Sequence, residues 1–192
     1  MATHRAHPVV PPALIEVHVE QIEQLFNSID PSPFHARDLD PQADEYIVAC
    51  ARDLPRDLSL ALVIHLDSVT EAELRLSQVE GAIRSHFGTS AAVARGQLRE
   101  LFRRGRTSLL IGLAFLSLSI ALGELSRDWL PAGSLGEILR EGLLIGGWVA
   151  MWGPMQIFLY DWWPLAARIR LLDRLARMPA RIVYRRSARP KS

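Results

Sequence analysis

The sequence predicts an α+β membrane protein. A small cytoplasmic βαβα domain gives way to a long helix, which leads into a two-helix transmembrane hairpin and a basic amphipathic C-terminal helix. Three observations predict this. Gly142 to Tyr160 carries no formal charge and ends at Asp161, Trp162, Trp163 and Pro164, the profile of a membrane-spanning helix with an aromatic anchor at one water interface. A second apolar stretch, Thr107 to Gly123, lies upstream. Before it, short apolar runs alternate between a strand period and a helix period.

Composition separates two regions. Hydrophobic residues make up 49% of the chain, yet mean hydropathy is only +0.10, because the apolar residues are concentrated in the last half. All five tryptophans lie after residue 125. Net charge is +1, so overall charge implies no polyanionic partner. One lysine, Lys191, stands against 21 arginines, which suggests a GC-rich genome rather than a functional choice. The single cysteine, Cys50, excludes an internal disulfide and reads as a small apolar helix residue. The opening residues lack the apolar core of a signal peptide, so the chain is expected to start in the cytoplasm.

Taken in order, residues 1–12 hold Pro8, Pro11 and Pro12 without periodicity and predict a loose arm. Ile15, Val17 and Val19 alternate with Glu16, His18 and Glu20, as in a half-buried strand. Ile22, Leu25, Phe26 and Ile29 suggest a short helix or turn. Asp30 to Asp40 is a proline-bounded loop. Asp40 is placed to cap a helix with Pro41 at its first position, and Asp44 and Glu45 suit the positive end of its dipole. Its apolar face is Ala43, Ile47, Cys50 and Leu54, and Pro55 stops it. Leu58 to Leu66 reads as the most buried strand. Thr70 and Glu73 form a capping box for a helix striped by Leu76, Val79, Ile83 and Phe87, then Ala91, Ala94, Leu98 and Leu101. A kink near Gly88 is expected. The two strands should pair in parallel through a right-handed crossover. So small a domain gains by packing on another copy or subunit.

Thr107 to Gly123, or to Leu125 with Glu124 at the interface, reaches roughly 25–29 Å as a helix, against a hydrocarbon core of about 30 Å. Arg95, Arg99, Arg103, Arg104 and Arg106 precede the first span, and eight arginines and Lys191 follow the second. Only Arg127 and Arg140 lie between. This asymmetry places both termini in the cytoplasm. The divisions that follow are an arm at 1–12, a βα domain at 13–88 and a stalk helix at 89–106. Then come a transmembrane helix at 107–125, a short periplasmic loop at 126–141, a second transmembrane helix at 142–160 and a basic amphipathic cytoplasmic tail at 161–192. Trp129, Trp162 and Trp163 are the expected interface anchors. Gly142, Gly146 and Ala150 repeat every four residues and offer a close-packing face, either within the hairpin or between copies. Ser108, Gly112, Ser119 and Gly123 offer a similar face on the first span. Pro154 should kink the second span. Gln156 is its one strongly polar deep side chain, read first as glue between helices. The tail places Leu165, Ile169, Leu172, Leu175 and Ala176 on one face, with arginines around the rest. Anionic lipid headgroups are its expected partner, and packing on the soluble domain is the alternative.

The densest polar cluster is His35, Arg37, Asp38, Asp40 and Asp44. A histidine among carboxylates can bind a metal or move protons, but the spacing fits no zinc or calcium pattern, and capping with local ion pairing explains it as well. His18 and His65 sit where neighbouring strands could bring them together. The chain shows no HExxH, CxxC, P-loop, GxGxxG or GxSxG. No metal, cofactor or nucleic-acid partner follows, since arginines beside a span already have a topological role.

Ser32 to Asp40, SPFHARDLD, and Phe158 to Pro164, FLYDWWP, resemble segments of a family of uncharacterised bacterial two-span inner-membrane proteins. The resemblance covers most of the chain after residue 13. It implies topology and a bacterial source, and brings no activity. The leading expectation is therefore a non-enzymatic inner-membrane scaffold or accessory subunit, a homo-oligomer or part of a larger complex. A homo-oligomeric channel or small transporter is second. A membrane-tethered enzyme using the His35–Asp40 loop is third.

Overall fold

The computed structural model describes residues 11–33, 37–66, 72–129 and 134–184. Residues 1–10 of the arm, His35, the Thr70 end of the capping box and the residues after Tyr184 lie outside them. The chain divides into two compact units, residues 1–92 with 168–192, and residues 93–167.

The first unit is built on a three-stranded parallel sheet in the order β1 (Ala13–Val19), β2 (Leu60–Leu66), β3 (Ala180–Tyr184). The alternation read in β1 is observed, with Ile15 and Val17 buried and Leu14, Glu16 and His18 exposed. β2 is the most buried strand, as expected, and it is the central one. After β1 come a 3₁₀ turn (Ile22–Leu25) and α1 (Pro41–Asp53). Asp40 caps α1, its carboxylate accepting from the backbone N–H groups of Gln42 and Ala43. α1 buries Ile47 and Ala51, while Ala43, Cys50 and Leu54 are half-buried. Leu54 is extended ahead of Pro55, because the proline ring disfavours helical backbone before it.

α2 (Ala72–Trp129) begins in this unit and buries Val79, Ala82, Ile83, Phe87 and Ala91. It stays helical through Gly88 and Gly96, and an added Cβ at either would meet nothing within 4 Å. A helix glycine costs only about 1 kcal/mol, and the apolar stripe continues on both sides, so the helix does not end there.

The tail differs most from expectation. α4 (Trp162–Ala176) is amphipathic, but Ile169, Leu172 and Leu175 are buried in the sheet unit. The chain then leaves the helix before Pro179 and forms β3. Three contacts fix the strand. Leu62 N–H donates to Pro179 O at 2.9 Å, and Ala180 N–H donates to the Glu80 carboxylate at 3.0 Å. Arg174 donates to the carbonyls of Pro55 and Leu58, both at 2.9 Å. The expectation of two strands is thus corrected to three. With two, β2 would be an edge, and its free N–H and C=O groups would sit in the middle of an apolar unit.

The second unit holds the remainder of α2 together with α3 (Ser134–Gln156) and a π-helical turn (Ile157–Asp161). Both long helices are apolar enough to cross a membrane, and only 17% and 11% of their apolar windows are buried. They bracket residues 130–133, so the helices take up most of the expected loop at 126–141. Their contact runs antiparallel. An added Cβ at Gly105 would lie 2.9 Å from Ile157, at Gly112 3.2 Å from the Ala150 carbonyl, at Gly147 2.6 Å from Leu116, and at Gly123 3.4 Å from Arg140. Gly105, Gly112 and Ser119 recur every seven residues and are all buried, the spacing of one helix seam. Helical structure continues through Pro154, and the irregularity falls one turn later, in the π turn. The missing proline N–H leaves the Ala150 carbonyl without its intrahelical donor, and that carbonyl is the atom lying against Gly112.

Arg174→Ala should loosen the unit by about 1–3 kcal/mol, the cost of leaving the part-buried Leu58 carbonyl unpaired, while the Pro55 carbonyl is exposed. Arg177→Ala, on an exposed neighbour, should stay within about 0.5 kcal/mol. Hydrogen exchange across Leu60–Leu66 in the full chain distinguishes them. Gly147→Leu should lower the thermal midpoint of the detergent-solubilised protein, whereas Gly142→Leu should not, since nothing lies within 4 Å of its added Cβ.

Candidate functional site

The loop between the 3₁₀ turn and α1 is tied at both ends. Phe26 and Leu39 form an antiparallel bridge. Asn27 N–H donates to Asp38 O, and Asp40 N–H to Leu25 O, both at 2.9 Å. Inside the loop, the Asp30 carboxylate accepts from the N–H of Ser32 at 2.9 Å and of Asp38 at 2.8 Å. These backbone donors, first Asp38 and then Ser32, hold its pKa below the ordinary aspartate value.

The loop is joined to α2 by a histidine. His86 Nδ1 meets Asp38 Oδ1 at 3.1 Å and Nε2 meets Asp44 Oδ1 at 3.2 Å, with the side chain 15% exposed. Leu39 N–H also points at Nδ1, at 3.4 Å. A ring between two carboxylates is best satisfied as imidazolium, with both N–H groups donating; Leu39 N–H can donate to Nδ1 only when that nitrogen is unprotonated, so it takes no part in this arrangement. Burial pushes the His86 pKa down, but the hydrogen bonds and charges of Asp44 and Asp38 together outweigh it, and the net shift is upward. Phe87 stands edge-on to the ring at 5.2 Å.

The residues predicted for this site are therefore only partly brought together. Asp38 and Asp44 meet on His86. Asp40 is turned to the α1 N-terminus as a cap. Arg37 Nε is shut off from solvent without an acceptor among the described residues. His35 lies outside them. Both nitrogens of His86 are engaged, whereas a histidine serving as general acid or base presents one nitrogen to a reactant. Among the described residues no three His, Cys, Asp or Glu side chains converge as a metal site. His86 was missed in the sequence because it sits on the apolar stripe of α2, three residues after Ile83, where only its polarity marks it. Its partners lie 42 and 48 residues away.

On the opposite face of the sheet, His18 and His65 do meet, with ring centroids 4.4 Å apart and planes 9° from parallel. Glu16 approaches His65 Nε2 at 3.6 Å. In the second unit, Gln156 is exposed and lines a shallow groove with Trp152, Met155, Leu159 and Tyr160. Gly142 is exposed, and an added Cβ at Gly146 would come only to 3.9 Å from Phe115. Ala150 lies against Gly112 through its carbonyl. Trp162 donates to Phe158 O at 2.9 Å, in the π turn, while Trp163 is exposed. Trp129 closes α2, and its side chain is outside what is described.

No protein family, curated protein or solved structure matches this chain.

The His86 clamp makes loop order depend on pH in a defined sense. The folded pKa lies above the ordinary 6.5, so the stabilisation is complete below that value and is lost as pH rises through the folded pKa. Hydrogen exchange at Asn27, Asp38 and Asp40, corrected for intrinsic rate, should show protection falling on the alkaline side of 6.5. His86→Gln should flatten that dependence.

Proposed function

We propose that this chain is an integral scaffold or accessory subunit of a bacterial inner-membrane complex, with both termini in the cytoplasm. The observation that carries this reading is the outward surface of the helix pair. Leu110, Ile111, Ile145, Trp148, Val149 and Trp152 are each between 63% and 72% exposed, on helices already joined through their glycines. In water such a surface would drive association or precipitation, whereas in a bilayer it is at home. The arginine asymmetry supports the orientation. Gly142 lies off the seam with α2 and Gly146 touches only Phe115 at its rim, which leaves a small-residue face at Gly142 available to a neighbouring helix.

A second reading is favoured by Gln156. Its amide is exposed beside Trp152 and Tyr160, where hydrocarbon offers it no hydrogen bond. Several copies sharing an axis would satisfy it and could form a channel or small transporter. Two helices alone enclose no path. The third reading is a membrane-tethered enzyme using the His35–Asp40 loop; His35 lies outside the described residues, and Asp38 is held on His86.

Topology is checked in a Cys50→Ala background. Ala132→Cys should react with an impermeant maleimide on intact spheroplasts, and Ser187→Cys only after lysis. The reverse pattern, or recovery in the soluble fraction, sinks the proposal. The native mass of the gently extracted complex separates the two functional readings. A fixed ratio with another protein supports an accessory subunit. A pure assembly that passes ions in liposomes supports a channel. Gly142→Leu should lower that mass without unfolding the hairpin if its face is an assembly seam.

A further inference from the structure

We infer that the uncovered face of the sheet is a homodimer interface, where two copies stack sheet on sheet about a two-fold axis running along β2. The inference deepens the scaffold reading by naming one partner, a second copy, and the surface that meets it.

Among the described residues no element covers this face, for a topological reason, although Ala61 on the central strand is buried between its neighbours. The strands follow in the order β1-β2-β3, all parallel, and right-handed crossovers in one direction place every connecting helix on the same side. The inward rows, Ile15–Leu62–Ala180 and Val17–Ile64–Ile182, face those helices. The outward rows are Glu16–Val63–Arg181 and His18–His65–Val183, in strict register. Leu14 is 53% exposed and Val183 43%. Parallel sheets ordinarily have both faces covered, because their strands are apolar on both sides, and Val63, Val183 and Leu14 fit that pattern.

The charges select the occupant. In the first outward row, Glu16 lies on one edge strand, Arg181 on the other and Val63 between them. A two-fold axis along β2 carries β1 of one copy over β3 of the other. Glu16 then faces the second copy's Arg181, Arg181 faces its Glu16, and Val63 packs on its own symmetry mate. An axis across the strands would instead set Glu16 against Glu16 and Arg181 against Arg181. The row is self-complementary about the first axis and repulsive about the second. Sheets stacked in this way lie about 10 Å apart.

The area is small. Three strands about 4.8 Å apart and some five residues long cover a few hundred Å², against about 800 Å² per partner in a stable soluble dimer. The contact therefore depends on confinement: two copies anchored in one membrane meet at an effective concentration that dilute solution does not provide.

The test uses the full chain in its own membranes with Cys50→Ala. Val63→Cys, on the axis, should couple with a short bismaleimide to a species of twice the chain mass. His18→Cys should couple to Val183→Cys on a co-expressed copy much more than to itself. Glu16→Arg and Arg181→Glu should each lower the Val63→Cys product several-fold, and their combination should restore it. The inference is overturned by absence of the Val63→Cys dimer, including the case where residues 1–10 or 185–192 close the face. An adduct with a different protein also overturns it, as does coupling indifferent to charge reversal. Fractionation of the same samples keeps the readings apart. A soluble dimer sinks the membrane assignment and not the interface, while a membrane-bound monomer does the opposite.

Discussion

The backbone of Leu60–Leu66 is the constraint on which the sheet unit depends. Every N–H and C=O of a strand inside an apolar unit needs a partner, and β2 lies with β1 on one edge and β3 on the other. The two partners come from opposite ends of the sequence. One is reached through α1, a connection of ordinary length. The other is reached only after the chain has passed through the whole second unit and returned in α4. The sheet unit is therefore discontinuous in sequence. Its closing contacts, Arg174 with Pro55 and Leu58 and Glu80 with Ala180, join segments about a hundred residues apart. Such contacts give the sheet a high contact order. They also make the second unit an insertion between the parts of the first, so its ends must come back close enough for β3 to reach β2.

The second unit solves a different problem with small residues. Where Gly105, Gly112 and Gly147 face the opposite helix, side chains or backbone of that helix occupy the space a Cβ would take. Dispersion falls off steeply with distance, so close approach without side chains gains contact along the backbone itself. Pro154 adds a local feature. It removes one donor and leaves the Ala150 carbonyl over Gly112, and the π turn follows at Ile157–Asp161. Trp162 donates its indole N–H to Phe158 O inside that turn, where the hydrogen-bond ladder changes register.

What the sequence made legible followed from local chemistry. Asp40 and Pro41 mark a helix start because capping and fixed φ act within a few residues. Ile15 and Val17 mark a strand because side-chain period is a property of the strand itself. The long apolar windows are legible for the same reason. β3 was not read, although Pro179 and the β-branched pair Ile182 and Val183 were signals for it, because nine arginine and lysine residues near the end favoured a surface helix. The apolar run LALVIHL reports burial of the β2 side chains and says nothing of how many strands pair with its edges. The cluster at Asp38 and Asp44 was visible as charge, but its meaning depends on His86, and nothing local joins residues so far apart. Gly142 and Gly146 fit a pattern that any helix pair can use, and pattern alone does not say which glycines face which neighbour. Gly105, Gly112 and Gly147 occupy the seam instead.

The tail shows how one amphipathic segment is assigned between competing surfaces. Its apolar face could cover lipid headgroups or protein. Burying Leu172 and Leu175 in the sheet unit removes the same apolar area from water that membrane insertion would, at about 25 cal/mol per Å² in either case. The apolar term therefore does not decide between them. The polar term does. Docking on protein also places Arg174 on two carbonyls and brings β3 into register with β2, adding hydrogen bonds that a bilayer surface cannot supply. Among the arginines of the tail, Arg174 is thus committed to the fold. Arg168, Arg170 and Arg177 stay exposed around α4, so their charges take no part in this docking.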